Sequence, residues 1–170
     1  PTHYVAPWKL NDGTEVILRP IRPEDEPMIA EMLATMTDES LQGRFFLGVP
    51  EFTHERLVRF TNIDYERELA IVAELGDADG KRIIGVGRLI GDPERGQGEF
   101  TVIVHDEFQG RGLGYKLVDL IIGVAKDKGI RVIEGLISQV NVRMMDLAEE
   151  VGFVQQCTED GIVRVRMELD

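Results

Sequence analysis

Apolar and polar positions along the chain change period twice. Thr14–Arg19 alternates polar and apolar residues and runs into Pro20, which predicts a short strand. Pro23-Glu24-Asp25-Glu26 then places a proline and three acids in a first helical turn, where they suit the helix dipole. Met28, Ile29, Met32, Leu33 and Met36 follow at helical spacing, a methionine-rich stripe of the kind that fills a core. Leu41–Phe46 reads as a second short helix, and Thr53 as the cap of a third whose apolar side is Leu57, Val58 and Phe60. From Leu69 the period shortens. Leu69–Leu75, Arg82–Ile90 and Glu99–Val104 are apolar runs separated by the turn-rich Gly76–Lys81 and Gly91–Gly98, which predicts an antiparallel meander. A helix from Gly112 to Lys128 with Gly129 as its stop comes next, then a buried strand Val132–Ile137 and a helix Asn141–Val151 ending at Gly152. Phe153–Gln156 and Ile162–Leu169 close the chain as a hairpin around Asp160-Gly161.

These elements predict one α/β domain over residues 1–170, with no repeat or linker. Its sheet is mixed and mostly antiparallel, with helices on both faces, and its second half holds a parallel strand–loop–helix–strand unit. A chain of 170 residues is long enough to bury a substantial core.

Charge narrows the partners. The formal charge is −12, which argues against a surface built to neutralise nucleic-acid phosphates and favours cationic partners such as lysine-bearing proteins or polyamines. No apolar run reaches the ~20 residues of a membrane span, and Pro1–Gly13 lacks the pattern of a signal peptide, so a cytoplasmic setting without membrane is expected. The single cysteine, Cys157, excludes an intrachain disulfide and a paired-cysteine zinc site, and it is expected in the core. His3, His54 and His105 show no metal-ligand spacing, so no metal is expected. His105, in the turn after a strand, reads as solvated; Asp64, Glu66 and Glu68, just before the second strand of the sheet, have two readings, recruitment of a lysine side chain or, by default, solvated acids.

The chemistry lies in Val102-Ile-Val-His-Asp-Glu-Phe-Gln-Gly-Arg-Gly-Leu-Gly114, which runs strand, turn, glycine-rich loop and then a helix with Leu113, Leu117, Leu120, Ile121 and Val124 on one face. Glycines let backbone approach a ligand closely, and the first amides of a helix have no internal partners and face the positive end of its dipole. Gln109, Gly110, Arg111, Gly112, Leu113 and Gly114 therefore form a candidate diphosphate site. Arg111 has two readings here, a charge-assisted contact to phosphate or a solvent-facing side chain. Gly110, Gly112 and Gly114 are spaced two apart, which misses the dinucleotide fingerprint, and Tyr115-Lys116 after Gly114 misses the ATP phosphate loop.

The pattern that does fit is Gln/Arg-x-x-Gly-x-Gly/Ala, met by Gln109, Gly112 and Gly114, and on it the chain resembles the GNAT superfamily of acetyl-CoA-dependent N-acyltransferases. Asn141 with Gly152-Phe153 resembles the family's second cofactor segment. Leu18-Arg-Pro-Ile-Arg-Pro-Glu-Asp25, Thr37-Asp-Glu-Ser40 with Arg44-Phe45-Phe46, Ile63-Asp-Tyr-Glu-Arg-Glu68 and Gly98-Glu-Phe100 look like the GNAT domain of Pat-type protein lysine acetyltransferases. Members of that group are often fused to an acyl-CoA-synthetase-like or regulatory region. The opening His3-Tyr4…Trp8-Lys9-Leu10-Asn11-Asp12-Gly13 resembles the junction of such fusions.

The resemblance implies acetyl-CoA as co-substrate and an amine acceptor, most simply a protein lysine. A lysine ammonium with pKa ~10.4 must lose a proton before it can attack a thioester. Glu99 matches the position of the general base, against the plain alternative of an exposed carboxylate beside Arg95. Backbone groups of Val102 and Val104, freed where their strand splays from Val132–Ile137, are implied to meet the thioester carbonyl and the pantetheine arm. Asn141 is implied as a further pantetheine contact, against the plain alternative of a helix cap. The tyrosine that protonates the leaving thiolate in many relatives is replaced by Ala148. Two other functions stay open: acetylation of a small amine such as a polyamine or amino acid, and a non-catalytic module that senses acyl-CoA.

Overall fold

The structure is a computed structural model that describes residues 5–36, 68–77, 80–92, 94–139 and 141–169. Strands β1 (Ala6–Lys9), β2 (Glu15–Pro20), β3 (Glu68–Asp77), β4 (Gly80–Asp92), β5 (Gln97–Val104), β6 (Val132–Ser138), β7 (Val154–Glu159) and β8 (Ile162–Glu168) join one sheet in the order β1-β2-β3-β4-β5-β6-β8-β7. Every pairing is antiparallel except β5 with β6. Among the described residues the helices are α1 (Glu26–Ala34), α2 (Leu113–Asp127) and α3 (Val142–Val151). The mixed, mostly antiparallel sheet matches expectation. The predicted helices at Leu41–Phe46 and after Thr53 lie outside the described residues.

The meander strands read as unbroken apolar runs because both faces of the sheet are covered. Leu69, Ile71 and Ala73 join a core with α2, while Ala70 and Val72, one residue out of phase, join a second core with α1. On α2, Leu113, Leu117, Ile121 and Val124 are buried at helical spacing, each worth about 1.5–3 kcal/mol relative to exposure. The methionine stripe behaves as a core stripe, with Ile29, Met32, Leu33 and Met36 all buried.

Two local departures have physical reasons. Pro23–Asp25 forms a tight 3₁₀ turn ahead of α1, and Asp25 is fully buried instead of decorating a helix dipole. Arg19 explains this: its guanidinium grips Asp25 at 2.7 and 2.8 Å and donates Nε–H to Glu74 at 2.6 Å. Burial pushes the Glu74 carboxyl upward, but the hydrogen bond and charge of Arg19, joined by Lys81, hold it below the ordinary value. The second departure is β1, which periodicity did not predict because Pro7 interrupts a stretch of only four residues. A proline is tolerated there since, among the described residues, β1 is an edge strand with no ladder partner on its outer side.

Candidate active site

β5 and β6 pair only at Gln97↔Val132, Gly98↔Ile133 and Glu99↔Glu134, and then part. Beyond Glu99 the β6-facing edge of β5 opens into a cleft of about 860 Å³. Val102 belongs to the α2-side core and Ile103 to the α1-side core, yet both line the cleft. Residues of opposite phase can share one wall only where that wall is the strand edge itself. Met36, after α1, lines the cleft on one side, and α3 lines it on the other through Asn141, Arg143 and Leu147.

The glycine loop forms the end wall. Gly110 and Gly112 have φ of +75° and +89°, a region that side chains with a Cβ rarely adopt. Both are also tightly cradled, since a Cβ on Gly110 would lie 3.1 Å from the Arg143 guanidinium and one on Gly112 would lie 3.1 Å from the Asn11 amide. Gly112 is the N-cap of α2, and no acidic residue occupies the first turn, so its amides present an uncompensated positive end. These features fit a coenzyme A diphosphate. Replacing Gly112 by Ala is expected to weaken CoA binding about 10-fold, as about 1–2 kcal/mol of left-handed strain would suggest. Isothermal titration checks it, and a change under about twofold would separate the loop from the cofactor.

Of the loop and strand residues singled out in the sequence, Val102, Val104, Gln109, Gly110, Gly112 and Gly114 line the cleft, and Asn141 faces them from α3. Leu113 does not: its side chain is buried in the core, so only its backbone amide can serve a ligand. Gln109 braces the loop, donating from Nε2 to the Val104 carbonyl at 2.9 Å. Arg111 points away from the cleft wall, paired with Asp12 at 2.6 Å and stacked over Phe108. Asn141 is the helix cap, accepting the Met144 N–H at 3.3 Å through Oδ1. Among the described residues its amide nitrogen has no other bond, so its two donors remain for the cleft.

Arg143 also lines the cleft. It sits in the first turn of α3, exposed and against Gly110, and among the described residues it has no ion pair. Sequence periodicity marks it only as a polar helix position, because its closeness to the loop depends on how α3 docks across the cleft.

Glu99 is exposed at the last paired position before the strands part. By strand period it shares the sheet face of Thr101 and Ile103, the α1 face. Arg95 pairs with Asp92 instead, and among the described residues Glu99 has no ion pair. Glu134 lies beside it across the parallel ladder and is held by Arg164 at 3.0 Å.

Two expectations fail. His105 is not solvated but 1% exposed. Its Nδ1 accepts the Glu107 N–H at 3.2 Å, which puts the ring proton on Nε2, facing the Thr35 hydroxyl at 2.8 Å. The Thr35 hydroxyl in turn donates to the Glu31 and Met32 carbonyls, at 3.0 and 3.1 Å. The ring thus ties the end of α1 to the turn before the glycine loop, and its partner lies 70 residues away, beyond any local signal. Glu68 is likewise not simply solvated, since it pairs with Arg88 at 2.5 Å. Asp64, Glu66, His3, His54 and the side chain of Cys157 lie outside what the structure describes.

Comparison with known proteins agrees with this geometry. The sequence model of the family described as "Acetyltransferase (GNAT) domain" matches residues 15–154. An acetyltransferase of Pseudomonas aeruginosa is 31% identical over 163 residues, covering 96% of this chain and 87% of that protein. The crystal structure of the GNAT domain of Streptomyces lividans PAT superposes with a TM-score of 0.90 at 28% identity, covering 99% of both chains. A spermidine N-acetyltransferase from Vibrio cholerae, solved with CoA and spermine, shares the fold with a TM-score of 0.72 at 22% identity, over 90% of this chain and 95% of that one. The chain belongs to the GNAT family, as an acetyltransferase that takes its acetyl group from acetyl-CoA and delivers it to an amine.

Proposed function

We propose that the acceptor is a lysine ε-amine of a protein and that Glu99, through water, takes its proton. The observation that carries this is the place of Glu99 at the apex of the strand opening. Its carboxylate is on the α1 face, whereas the glycine loop and α3 bound the cleft from the α2 side. An acceptor entering from the Glu99 face would meet the cofactor through the gap between β5 and β6, with neither displacing the other. Acetyl-CoA supplies an activated acyl carbon. The chain supplies the diphosphate cradle, the open strand edge that aligns the pantetheine arm, and a carboxylate to hold the amine and receive its proton. Gln109, Gly110, Gly112, Gly114 and the Leu113 amide would hold the diphosphate, with Arg143 as the cation lining the cleft and Arg111 able to join it only on release from Asp12, and Val102, Val104 and Asn141 would take the arm.

The resemblance of the Gly98-Glu-Phe100 and Leu18–Asp25 segments to Pat-type enzymes supports the protein acceptor. The charge of −12 suits either cationic acceptor, and the fold shared with a spermidine acetyltransferase favours the second reading, a small polyamine acceptor. Thiol release from acetyl-CoA, followed with a lysine-rich protein, with spermidine and with free amino acids, separates them. Turnover is expected with the protein alone. Turnover with small amines alone would transfer the function to the second reading, and CoA-induced thermal stabilisation without any turnover would leave only a sensing module.

A further inference from the structure

The turn between β1 and β2 reaches across 99 residues of sequence to the glycine loop. It is internally rigid: Leu10 N–H donates to the Thr14 carbonyl, Gly13 N–H to the Leu10 carbonyl and Thr14 N–H to Asp12 Oδ1, each at 2.9 Å. Three contacts then carry it onto the loop. Asn11 N–H donates to the Arg111 carbonyl at 2.9 Å. The Asn11 side-chain amide fills the space beside Gly112, and Asp12 Oδ2 accepts from Arg111 Nη1 at 2.6 Å. The guanidinium also lies 5.3 Å from the centre of the Phe108 ring, which limits where it can swing.

We propose that this turn is a lock on the diphosphate loop, in which Asp12 occupies Arg111 until the cofactor diphosphate displaces it. Asn11 sets the backbone of Arg111 and Gly112, and Asp12 is the positioning residue that sets the charge the loop presents. An incoming anion must outbid a carboxylate for the guanidinium, so the lock favours a dianionic diphosphate over simple monoanions. Hydrogen bonds from Thr14, and after them the Arg111 charge, hold the Asp12 carboxyl below the ordinary carboxylate range, so the lock stays charged near neutral pH. Both side chains are a little over one-third exposed, which keeps the pair weak enough to exchange. The lock also connects strand β1, at the sheet edge, directly to the cofactor.

The inference rests on the reading that the loop holds the diphosphate, and the test distinguishes the two. Asp12→Asn keeps an oxygen for Thr14 N–H but removes the charge. Dissociation constants at low salt are measured for CoA and for acetyl-pantetheine, which lacks the diphosphate, in the parent, Asp12→Asn, Arg111→Gln and the double variant. Asp12→Asn is expected to tighten CoA about two- to fivefold, the scale of an exposed ion pair, with acetyl-pantetheine unchanged and no tightening once Arg111 is Gln. CoA binding that is unchanged or weaker in Asp12→Asn, or a gain that persists without Arg111, overturns the lock. CoA binding that is indifferent to Arg111→Gln and no tighter than acetyl-pantetheine overturns the loop reading and the lock together.

Discussion

Replacing Glu99 by Gln is expected to lower kcat for amine acetylation by about 10²-fold or more, the usual contribution of a positioned base. Gln keeps the shape and a hydrogen-bonding oxygen but cannot take a proton. The side chain stands on the α1 face, outside the cleft lining, so the dissociation constant for acetyl-CoA should stay within about twofold. The deficit should also shrink as pH rises towards ~10.4, where free lysine amine becomes abundant without help. Steady-state kinetics against pH, with calorimetry of cofactor binding, measure both. A variant with parental kcat at neutral pH would remove Glu99 from the reaction, and a large rise in the cofactor dissociation constant would mean that its loss acts through the fold.

Replacing Arg19 by Met should cost about 3–5 kcal/mol of stability, the scale for breaking a buried pair from one side. Two carboxylates, Asp25 at 0% and Glu74 at 5% exposure, would be left without the guanidinium that both of them share. The sign with pH follows from Glu74. Its folded-state value is depressed, so its contribution to the parent is present at neutral pH and is lost as pH falls through that lowered value. The variant lacks the cation, and protonation relieves its stranded carboxylates, so the gap between the two proteins should narrow in acid. Urea unfolding at pH 7 and pH 4 provides the comparison. A difference under about 1 kcal/mol at pH 7 would reduce the network to a weakly coupled contact. The network also sets the start of α1, whose end supplies Thr35 to His105 and Met36 to the cleft, so weaker cofactor binding should accompany the loss of stability.

Elements of strong period were legible. The α1 stripe, the meander, α2 and α3 all form where apolar spacing puts them, because each must bury one face or both against the sheet. Boundaries were less so: β4 runs from Gly80 to Asp92, well past its apolar stretch, since ladder hydrogen bonds continue into polar residues once the neighbouring strands are in place. The edge strand β1 left no periodic mark. In the site, the glycine loop was legible because positive φ and close approach restrict the residue type locally, and Glu99 was reached through resemblance to a family motif. Arg143, the Thr35–His105 tie and the Asp12–Arg111 pair were not legible, because each joins segments that only docking brings together.

By itself, the sequence determined that this chain is an α/β domain with a glycine-rich loop at the start of α2, since period and glycine placement are local properties. Tertiary structure alone decided that Arg111 faces Asp12, that His105 is buried, and that β5 and β6 part immediately after Glu99. Those outcomes depend on long-range packing, where a side chain's partner is chosen by which surfaces meet and not by its neighbours in the chain.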